Sequence, residues 1–488
     1  MARRPRPRQK GLVLLIVLWT VAILLILAGT TRQTSRLDTK LSAFTTQEVR
    51  CKWASRAGVE KAIAILNEDD RALDGPADLW NAATNPADLV DVPMLGCHYT
   101  VRVVDEAGKL NVNTTTRDQL LGLFDWGLDV ATADAIIDWR DTDEEPGEEG
   151  VEAGYYENLP YRYTIRNQPF KTIREMMKVK GVTDPLFYGE DTNFNGQLDD
   201  NEKDGSQTAP LDDGDAVLDL GWINFLTCFV PQTAPQDPNG TTKVNINQAT
   251  AAQLQELGLT AAQAQAVIDS RPSSGYTSIA ALITTNVGTS TTSATSQTTG
   301  QTTSGAGNVG TTTTPPLDVA TFRTIVDYIT VGNSSTGTGT QASASTQTAT
   351  QTGTGASSSS ATGTASSTPA QTTVNLINVN TAPLEVLVAL WGGTDQAYEV
   401  AQSVVSYRDG TLTGLESIGE LLDVPSMTTD LFAQVVDQVT IRSNVFTIYC
   451  VAKADQTGIS GASWFTEAVV DRSQSPAKIL YWYQGACP

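Results

Sequence analysis

The stretch MARRPRPRQKGLVLLIVLWTVAILLILAG, residues 1–29, decides the fold class of this chain. Five basic residues lie among its first ten positions, and Gly11 closes this basic segment. Residues 12–29 carry no charge and are mostly apolar, which approaches the roughly 20 residues that a helix needs to span a bilayer. Because basic flanks stay in the cytoplasm, everything after Arg32 is predicted to lie on the other side of the membrane.

Two alternatives for this segment stay open on hydropathy alone, a secretory signal peptide and an ordinary signal anchor. A signal peptide has a shorter apolar core and an A-x-A-like cleavage site, which residues 31–40 do not show. The position of Gly11 directly before the apolar run resembles a prepilin leader. That resemblance implies cleavage by prepilin peptidase between Gly11 and Leu12, on the cytoplasmic side, and methylation of the new N-terminus.

The apolar run is predicted to continue as one long helix. No proline occurs within residues 9–75, and a core-facing stripe follows helical spacing. The stripe consists of Val59, Ala62, Ile63 and Leu66. A helix from about Leu12 to Asn67 is about 80 Å long. We expect residues 12–30 to form its transmembrane part and residues 31–68 to extend outside the membrane.

Three stretches of the sequence repeat one pattern, an extended N-x-N segment followed by two short helices, the second of which ends in Arg. The Asn and Thr residues before the helices suit turns and helix caps. The repeats are KLNVNTTTRDQLLGLFDWGLDVATADAIIDWRD from Lys109, KVNINQATAAQLQELGLTAAQAQAVIDSR from Lys243 and INVNTAPLEVLVALWGGTDQAYEVAQSVVSYRD from Ile377. The pattern predicts three helix-hairpin-helix modules.

Helix-hairpin-helix modules often bind DNA phosphates through a G-x-G turn backed by basic side chains. The turns of the three repeats lack G-x-G, their second helices lack lysine, and the chain carries a net charge of −22. An acidic chain repels phosphate backbones. We therefore expect no nucleic-acid partner and predict that the modules form a structural, protein-binding head.

Residues 136–182 carry a set of motifs in a fixed order: D-W-x-D-x-D, then G-x-E-x-x-Y-Y, then N-x-P-F. Together with the leader, this run resembles the minor pseudopilin K family of type II secretion. The resemblance covers residues 1–230 and 374–488. It implies a subunit at the tip of the pseudopilus, in the inner membrane with its bulk in the periplasm. I- and J-like minor pseudopilins are the implied partners.

The fifth mature residue supports a tip position. Most pilins and pseudopilins carry Glu there, which is thought to neutralise the N-terminus of a neighbouring subunit, because an unpaired buried charge is costly. This chain has Ile16 instead. The K subunit is similar in this respect, and a subunit without that carboxylate can begin a filament. The alternative function is that of a DNA-uptake or adhesion pilin that uses the hairpin modules.

The segment DTNFNGQLDDNE, residues 191–202, follows the pattern of a twelve-residue calcium loop. Gly196 stands at the position of the sharp turn, and oxygen ligands at this spacing favour calcium over transition metals. The predicted ligands are Asp191, Asn193, Asn195, the carbonyl of Gln197, Asp199 and Glu202. A second site is proposed at Asp141, Asp143 and Glu152, where the family resemblance also implies calcium. The expected role of the metal is structural.

The reactive side chains of the sequence do not indicate an enzyme. The chain has one histidine, His98, and five scattered cysteines without a C-x-x-C motif, which disfavours triads, most metal hydrolases and zinc sites. An oxidising compartment permits disulfides, and Cys450 with Cys487 is the predicted pair.

The predicted fold class is α+β. It combines a long N-terminal transmembrane pilin helix, a small antiparallel sheet and large inserted all-α helix-hairpin-helix modules. Four strands with period-two alternation are expected to form the sheet, namely Tyr99–Asp105, Val445–Lys453, Trp464–Asp471 and Lys478–Tyr483. The predicted division is a leader at 1–11, the helix at 12–68, the sheet at 69–106 and 442–488, a first insert with the calcium loops at 107–231, a second module at 243–331 containing a Ser/Thr-rich loop at 284–316, a disordered linker at 333–373 and a third module at 374–441.

Overall fold

A computed structural model describes most of the chain. The described residues are 10–205, 207–208, 210, 212, 214–231, 236–284, 315–332, 376–455 and 461–485. The linker predicted at 333–373 lies entirely outside these residues, and so does most of the loop predicted at 284–316.

Helix α1 runs without interruption from Lys10 to Glu68, which confirms the predicted long helix. At 59 residues it is roughly 90 Å long. Its first half exposes every large apolar side chain between Val13 and Leu27, whereas the second half is buried along one face. The fully buried positions of that face are Cys51, Ala54, Ser55, Val59, Ala62 and Leu66. The helix therefore leaves a bilayer-length segment free and packs only its second half.

In the part of the chain that the structure describes, the remaining helices are short, and the strands form one five-stranded sheet and three two-stranded ladders. The helices are α2 (Pro86–Leu89), α3 (Arg117–Leu121), α4 (Val130–Arg140), α5 (Ala153–Glu157), α6 (Asp184–Tyr188), α7 (Ala251–Glu256), α8 (Ala261–Asp269), α9 (Val319–Ile325), α10 (Leu384–Leu390), α11 (Asp395–Asp409) and α12 (Thr429–Val435). The strands are β1 (Val92–Met94), β2 (Cys97–Asp105), β3 (Leu110–Asn111), β4 (Leu226–Thr227), β5 (Val244–Asn245), β6 (Ile329–Thr330), β7 (Ile377–Asn378), β8 (Val439–Thr440), β9 (Val445–Ala454), β10 (Ser463–Asp471) and β11 (Lys478–Gly485).

The sheet has the order β1-β2-β9-β10-β11 and is antiparallel throughout. Its last four strands correspond to the four predicted ones, and the fold class is confirmed as α+β. The short edge strand β1 was not predicted, because three residues that include Pro93 carry no alternation signal. Strand β2 alternates buried and half-buried residues along its whole length, and Val101 contributes to the core between the sheet and α1.

The chain between β2 and β9 forms three inserts of the same plan. In each, the N-x-N segment begins with a strand that pairs in parallel with a strand near the end of the insert, β3 with β4, β5 with β6 and β7 with β8. One Asn side chain of each insert exchanges two hydrogen bonds of 2.6–3.0 Å with a distant backbone position. These pairs are Asn113 with Phe170, Asn247 with Tyr276 and Asn380 with Leu415.

The Arg that ends each repeat also has a structural role. Arg140, Arg271 and Arg408 each donate to two backbone carbonyls around the N-x-N segment of their own insert. Backbone carbonyls that would otherwise be buried without a partner are satisfied in this way. The recurring Asn and Arg residues therefore tie the N-x-N segment of each insert to the end of its second helix and to a later position in the same insert.

Candidate metal centres and membrane anchor

Acidic side chains meet at the end of α4 in the first insert. Asp138, Asp141 and Glu152 each place one carboxylate oxygen within 4.8 Å of the others. Asp138 and Asp141 are three residues apart at the end of the helix and so share one face, and the following loop returns Glu152 to them. Asp143, which the sequence suggested as the third ligand, lies on the exposed turn, where its carboxylate accepts the N–H of Glu145 at 3.0 Å. Asp138 takes its place in the cluster.

The loop after α4 is held tightly over this cluster. The carboxylate of Asp138 accepts the N–H of Gly147 at 3.0 Å, and a Cβ atom at Gly150 would come within 1.9 Å of Asp138 Oδ2. Only glycine therefore fits at position 150. One turn earlier on α4, Asp134 accepts the N–H of Glu149 at 3.1 Å.

Three oxygens at this site are buried and make no hydrogen bond, namely Asp141 Oδ1, Glu152 Oε1 and Asn167 Oδ1. The amide nitrogen of Asn167 donates to the backbone oxygen of Asp143 at 2.8 Å and to Glu152 Oε2 at 3.3 Å. An unsatisfied buried polar atom costs about 1–3 kcal/mol, and an oxygen-binding cation would satisfy all three. We call Asp138, Asp141, Glu152 and Asn167 the α4 cluster. It fits a hard cation such as calcium.

The sequence interpretation missed two members of the α4 cluster. Asp138 stands in the D-W-x-D-x-D motif, one helical turn before Asp141, and the three-residue spacing was the available signal. Asn167 lies fifteen positions after Glu152 and has a positive φ of 43°. Since only the folded loop brings Asn167 back to the cluster, no sequence spacing indicates it.

The electrostatics of the α4 cluster favour a bound cation. Burial, reinforced by repulsion from Asp143 and Asp138, raises the pKa of Asp141 to about 6. Burial and the charges of Asp141 and Asp138 raise the pKa of Glu152 to about 7. Deprotonation of each carboxylate is thus opposed by burial and by the negative charge of its neighbours. A divalent cation would relieve this repulsion.

The loop at residues 191–202 adopts a turn closed on its own polar groups. Asp191 Oδ1 accepts the N–H of Asn195, and Asp191 Oδ2 accepts the N–H of Gly196, both at 3.0 Å. The side-chain amides of Asn193 and Asn195 both donate to Asp199 Oδ2, at 2.7 and 2.9 Å. Glu202 Oε2 accepts the N–H of Asp199 at 2.9 Å.

Two features separate this 191–202 loop from the α4 cluster. Arg102 of β2 donates to Asp191 Oδ2 at 2.9 Å, so the buried first ligand already has a cationic partner. Among the described residues, the carboxylates of Asp191, Asp199 and Glu202 do not form a group as tight as the α4 cluster. Glu202 Oε1 is buried and without a hydrogen bond. The backbone N–H of Gln197 donates to Asn195 Oδ1 at 2.7 Å. The loop therefore meets only part of the requirements of a cation site.

The first half of α1 is long and apolar enough to span a membrane. Its most apolar 18-residue window has a mean hydropathy of 2.8, and none of that window is buried against the described chain. The predicted processing residues Gly11 and Leu12 both lie within α1, which begins at Lys10. Ile16 is 53% exposed on the free segment.

The predicted disulfide is described only at one end. Cys450 lies in β9 and is fully buried, facing Gly58 of α1, where an added Cβ would come within 2.6 Å of its sulfur. Cys487 lies outside the described residues, so this pairing stays a prediction.

A long apolar helix, half free and half packed on an antiparallel sheet, is an arrangement that fits a membrane-anchored protein of the pilin-like class. Two family models agree on the narrower group. The model for the first domain of protein K of the type II secretion system (T2SS) matches residues 103–188, and a second protein K model matches residues 377–442. Residues 103–188 and 377–442 of this chain are therefore similar to protein K of the type II secretion system.

Individual relatives are distant. The chain is 25% identical over 203 residues to the type II secretion system protein K of Pectobacterium carotovorum subsp. carotovorum, which is 37% of this chain. The match spans 61% of that relative's length. A solved chain from the GspK-GspI-GspJ complex of the enterotoxigenic Escherichia coli type 2 secretion system superposes with a TM-score of 0.42 at 12% identity, over 93% of this chain and 99% of the solved one.

Proposed function

We propose that this protein is the minor pseudopilin at the tip of the type II secretion pseudopilus. There it assembles with I- and J-like minor pseudopilins, initiates the pseudopilus and supports protein export across the outer membrane. The observation that carries this proposal is helix α1, because one continuous helix joins an unpartnered apolar segment to a folded head. Such a helix can sit beside other pseudopilin helices while the head stays outside the membrane.

The orientation and processing follow from the basic leader. Basic residues before the apolar run keep the N-terminus cytoplasmic, so the head lies in the periplasm. Prepilin peptidase is proposed to cut between Gly11 and Leu12, after which Leu12 becomes the methylated N-terminus. Ile16 then stands where a repeating subunit would carry a carboxylate.

An apolar stripe on α1 outside the membrane segment provides a surface for the partner subunits. Leu37, Leu41 and Phe44 follow i, i+4, i+7 spacing and are 59%, 63% and 37% exposed. Residues at this spacing share one helix face, and an apolar face in water favours association with another apolar helix. Partners of the kind named in the solved GspK-GspI-GspJ complex are proposed to cover this stripe.

The bulk of the head supports a terminal position. The three inserts all emerge between β2 and β9, which are neighbours in the sheet. A repeating subunit must accommodate neighbours above and below it, whereas a tip subunit needs them on one side only. Calcium bound to the α4 cluster and to the 191–202 loop is proposed to fix the first insert without taking part in any chemistry.

The decisive experiment is copurification of the full-length protein from membranes with I- and J-like pseudopilins, combined with mass spectrometry of its N-terminus. We expect both partners and an N-terminus at Leu12. Leu41→Glu should abolish recovery of the partners, whereas Ser42→Glu, about 100° further round the helix, should not. An N-terminus at Met1, or absence of any pseudopilin together with DNA binding at physiological salt, would overturn the proposal in favour of another pilin-like role.

A further inference from the structure

Two cysteine sulfurs face each other where α1 meets the sheet. Cys51 of α1 and Cys97, the first residue of β2, have their Sγ atoms 3.0 Å apart although they are 46 positions apart in sequence. Both side chains are fully buried, and both carry thiols in this structure. The separation is only about 1 Å longer than a covalent disulfide, so a small approach of the two side chains suffices to join them.

The backbone of α1 comes close enough to the sheet for this contact because small residues line the helix face. Ala54, Ser55 and Gly58 follow Cys51 at helical spacing, and a Cβ atom at Gly58 would come within 2.9 Å of the Tyr99 ring of β2. The hydroxyl of Ser55 donates to the hydroxyl of Thr466 on β10 at 2.7 Å. These contacts hold the helix in the position that sets the two thiols opposite each other.

The other described cysteines do not compete for either sulfur. Cys450 lies in β9, opposite Gly58, which is two helical turns after Cys51 on α1. Cys228 follows β4 in the first insert, where it packs at the edge of the insert core. No described metal-ligand group includes a cysteine. Cys51 and Cys97 are therefore each other's sulfur partners within the described chain.

We propose that Cys51 and Cys97 form a disulfide that covalently fastens α1 to the sheet. The site goes beyond the proposed function and rests on it only for the oxidising compartment. The two thiols give up two protons and two electrons through a mixed disulfide with a disulfide-carrying oxidoreductase, whose own disulfide is reduced to two thiols. The products are the Cys51–Cys97 bond and the reduced dithiol of the oxidant.

The place of the bond gives it a mechanical role. Cys51 is the first fully buried residue of α1 in the described chain, so every earlier described residue is at least partly exposed. A force applied through the membrane half of α1 would begin to peel the helix from the sheet at this point. Burial, reinforced by Cys97, raises the pKa of the Cys51 thiol to about 12. Because the thiolate is the reactive form, oxidation is expected before the helix docks, and the finished bond is shielded from reductants.

The test is peptide mass spectrometry of the full-length protein taken from membranes without reductant. The free thiols are blocked in denaturant before digestion. We expect one linked peptide pair that contains Cys51 and Cys97 and is lighter by two hydrogens than the two thiol peptides. Cys51→Ser and Cys97→Ser should each lower the melting temperature by about 5–10 °C, the order expected for a native disulfide that closes a long loop. The double variant should be no less stable than either single variant.

Cys228→Ser is the matched control and should leave both the linked peptide and the melting temperature unchanged. Full alkylation of Cys51 and Cys97 in the denatured, never-reduced protein would overturn the proposal, and this measurement does not depend on how any variant folds. A Cys450–Cys487 link with Cys51 and Cys97 free would also overturn it. Copurification of pseudopilin partners is read separately, so failure of the disulfide and failure of the proposed function are distinguishable.

Discussion

The α4 cluster and the 191–202 loop are two acidic segments of the same insert, and they differ in how their oxygens are satisfied. In the α4 cluster, three buried oxygens have no hydrogen-bond partner. In the 191–202 loop, the oxygens of Asp191, Asn193, Asn195 and Asp199 accept hydrogen bonds from the loop itself. Arg102 adds a positive charge beside Asp191.

Agreement with a calcium-binding sequence pattern therefore does not by itself indicate a geometry suited to calcium. The 191–202 loop has the better sequence pattern, but most of its polar groups hydrogen-bond within the loop, although Glu202 Oε1 is buried without a hydrogen bond. The α4 cluster has the weaker pattern, but its geometry leaves oxygens that only a cation or water could satisfy. We therefore propose that the α4 cluster binds calcium more tightly than the 191–202 loop.

The largest expected effect is the loss of calcium-dependent stabilisation when Glu152 is replaced by Gln. At a free calcium concentration about 100 times the Kd, binding adds about 2.7 kcal/mol to the free energy of unfolding. Glu152→Gln removes one charged ligand, so most of this gain should disappear. Without calcium, the variant should be at least as stable as the wild type, because repulsion within the cluster falls. Calorimetry with calcium and with a chelator measures both.

Asp125→Asn is the control for this substitution, since Asp125 is an exposed carboxylate of the same insert and lies outside both candidate sites. It should leave the calcium-dependent shift intact. If Glu152→Gln kept the full shift, the calcium that stabilises the protein would have to bind elsewhere, and the proposed order of the two sites would be wrong.

The next effect concerns the 191–202 loop. Replacing Arg102 by Met removes the positive charge paired with Asp191. The calcium affinity of the loop should rise about tenfold, the order of the influence of a unit charge on a divalent ion a few ångströms away in a water-like dielectric. The calcium-free protein should become less stable, because Asp191 stays buried without its partner. Calorimetric titration in a Glu152→Gln background isolates the loop.

Arg162→Met serves as the matched control, because Arg162 is an exposed Arg of the same insert. It should change neither the affinity of the loop nor the stability of the calcium-free protein. An unchanged affinity in Arg102→Met would mean that the ion pair does not oppose calcium binding.

A smaller effect is expected from pH. In the folded protein the pKa of Asp141 is raised from 3.8 to about 6, and that of Glu152 from 4.5 to about 7. The folded state thus holds more protons than the unfolded state between these values, so stability without calcium should fall as the pH rises from about 4 to 7. Since both side chains are partly exposed to solvent, the change should be about 1 kcal/mol, or a few degrees in melting temperature.

Calcium should reverse this trend, because it binds the deprotonated carboxylates and its affinity rises over the same pH range. Glu152→Gln should flatten the profile of the calcium-free protein. Thermal melts at several pH values, each with calcium or a chelator, provide the measurement. A calcium-free profile in which stability rises from pH 4 to 7 and is unaffected by Glu152→Gln would contradict the raised pKa values.

The parts of the molecule that could be predicted from sequence are those whose structure depends on local residue spacing. The absence of proline and the apolar stripe placed the ends of α1 within two residues, since a helix depends on local spacing. Alternation likewise located the four long strands. The edge strand β1 was not predicted because it is short and lies between Asp91 and Leu95, two residues with positive φ.

The candidate sites show the same limit. Asp141 and Glu152 could be identified because they lie in an acidic motif, but choosing Asp138 over Asp143 requires knowing where α4 ends. Asn167 contributes through a loop whose path depends on tertiary packing. The Cys51–Cys97 contact joins residues of two different elements, and the docking of α1 on the sheet decides it. Contacts between segments that are distant in sequence cannot be predicted from residue spacing alone.

The smallest expected effect is the difference between two alanine substitutions at glycines with positive φ. Gly196 has a φ of 68° and Gly205 one of 74°, so Ala costs about 1 kcal/mol at either position. A Cβ at Gly196 would also come within 3.1 Å of the Arg102 side chain, whereas a Cβ at Gly205 would meet no described atom within 4 Å outside its chain neighbours. Gly196→Ala should therefore cost roughly 0.5 kcal/mol more, the order of one displaced rotamer.

Urea unfolding of the calcium-free variants measures this difference, and Arg102→Met gives a direct check on its cause. In the Arg102→Met background, the more flexible Met side chain should accommodate the added methyl group, and the two alanine variants should become equally stable. If Gly196→Ala stayed the more costly of the two in that background, the loop backbone itself would be the source of the difference. The contact between the 191–202 loop and Arg102 would then not be what distinguishes this loop from the α4 cluster.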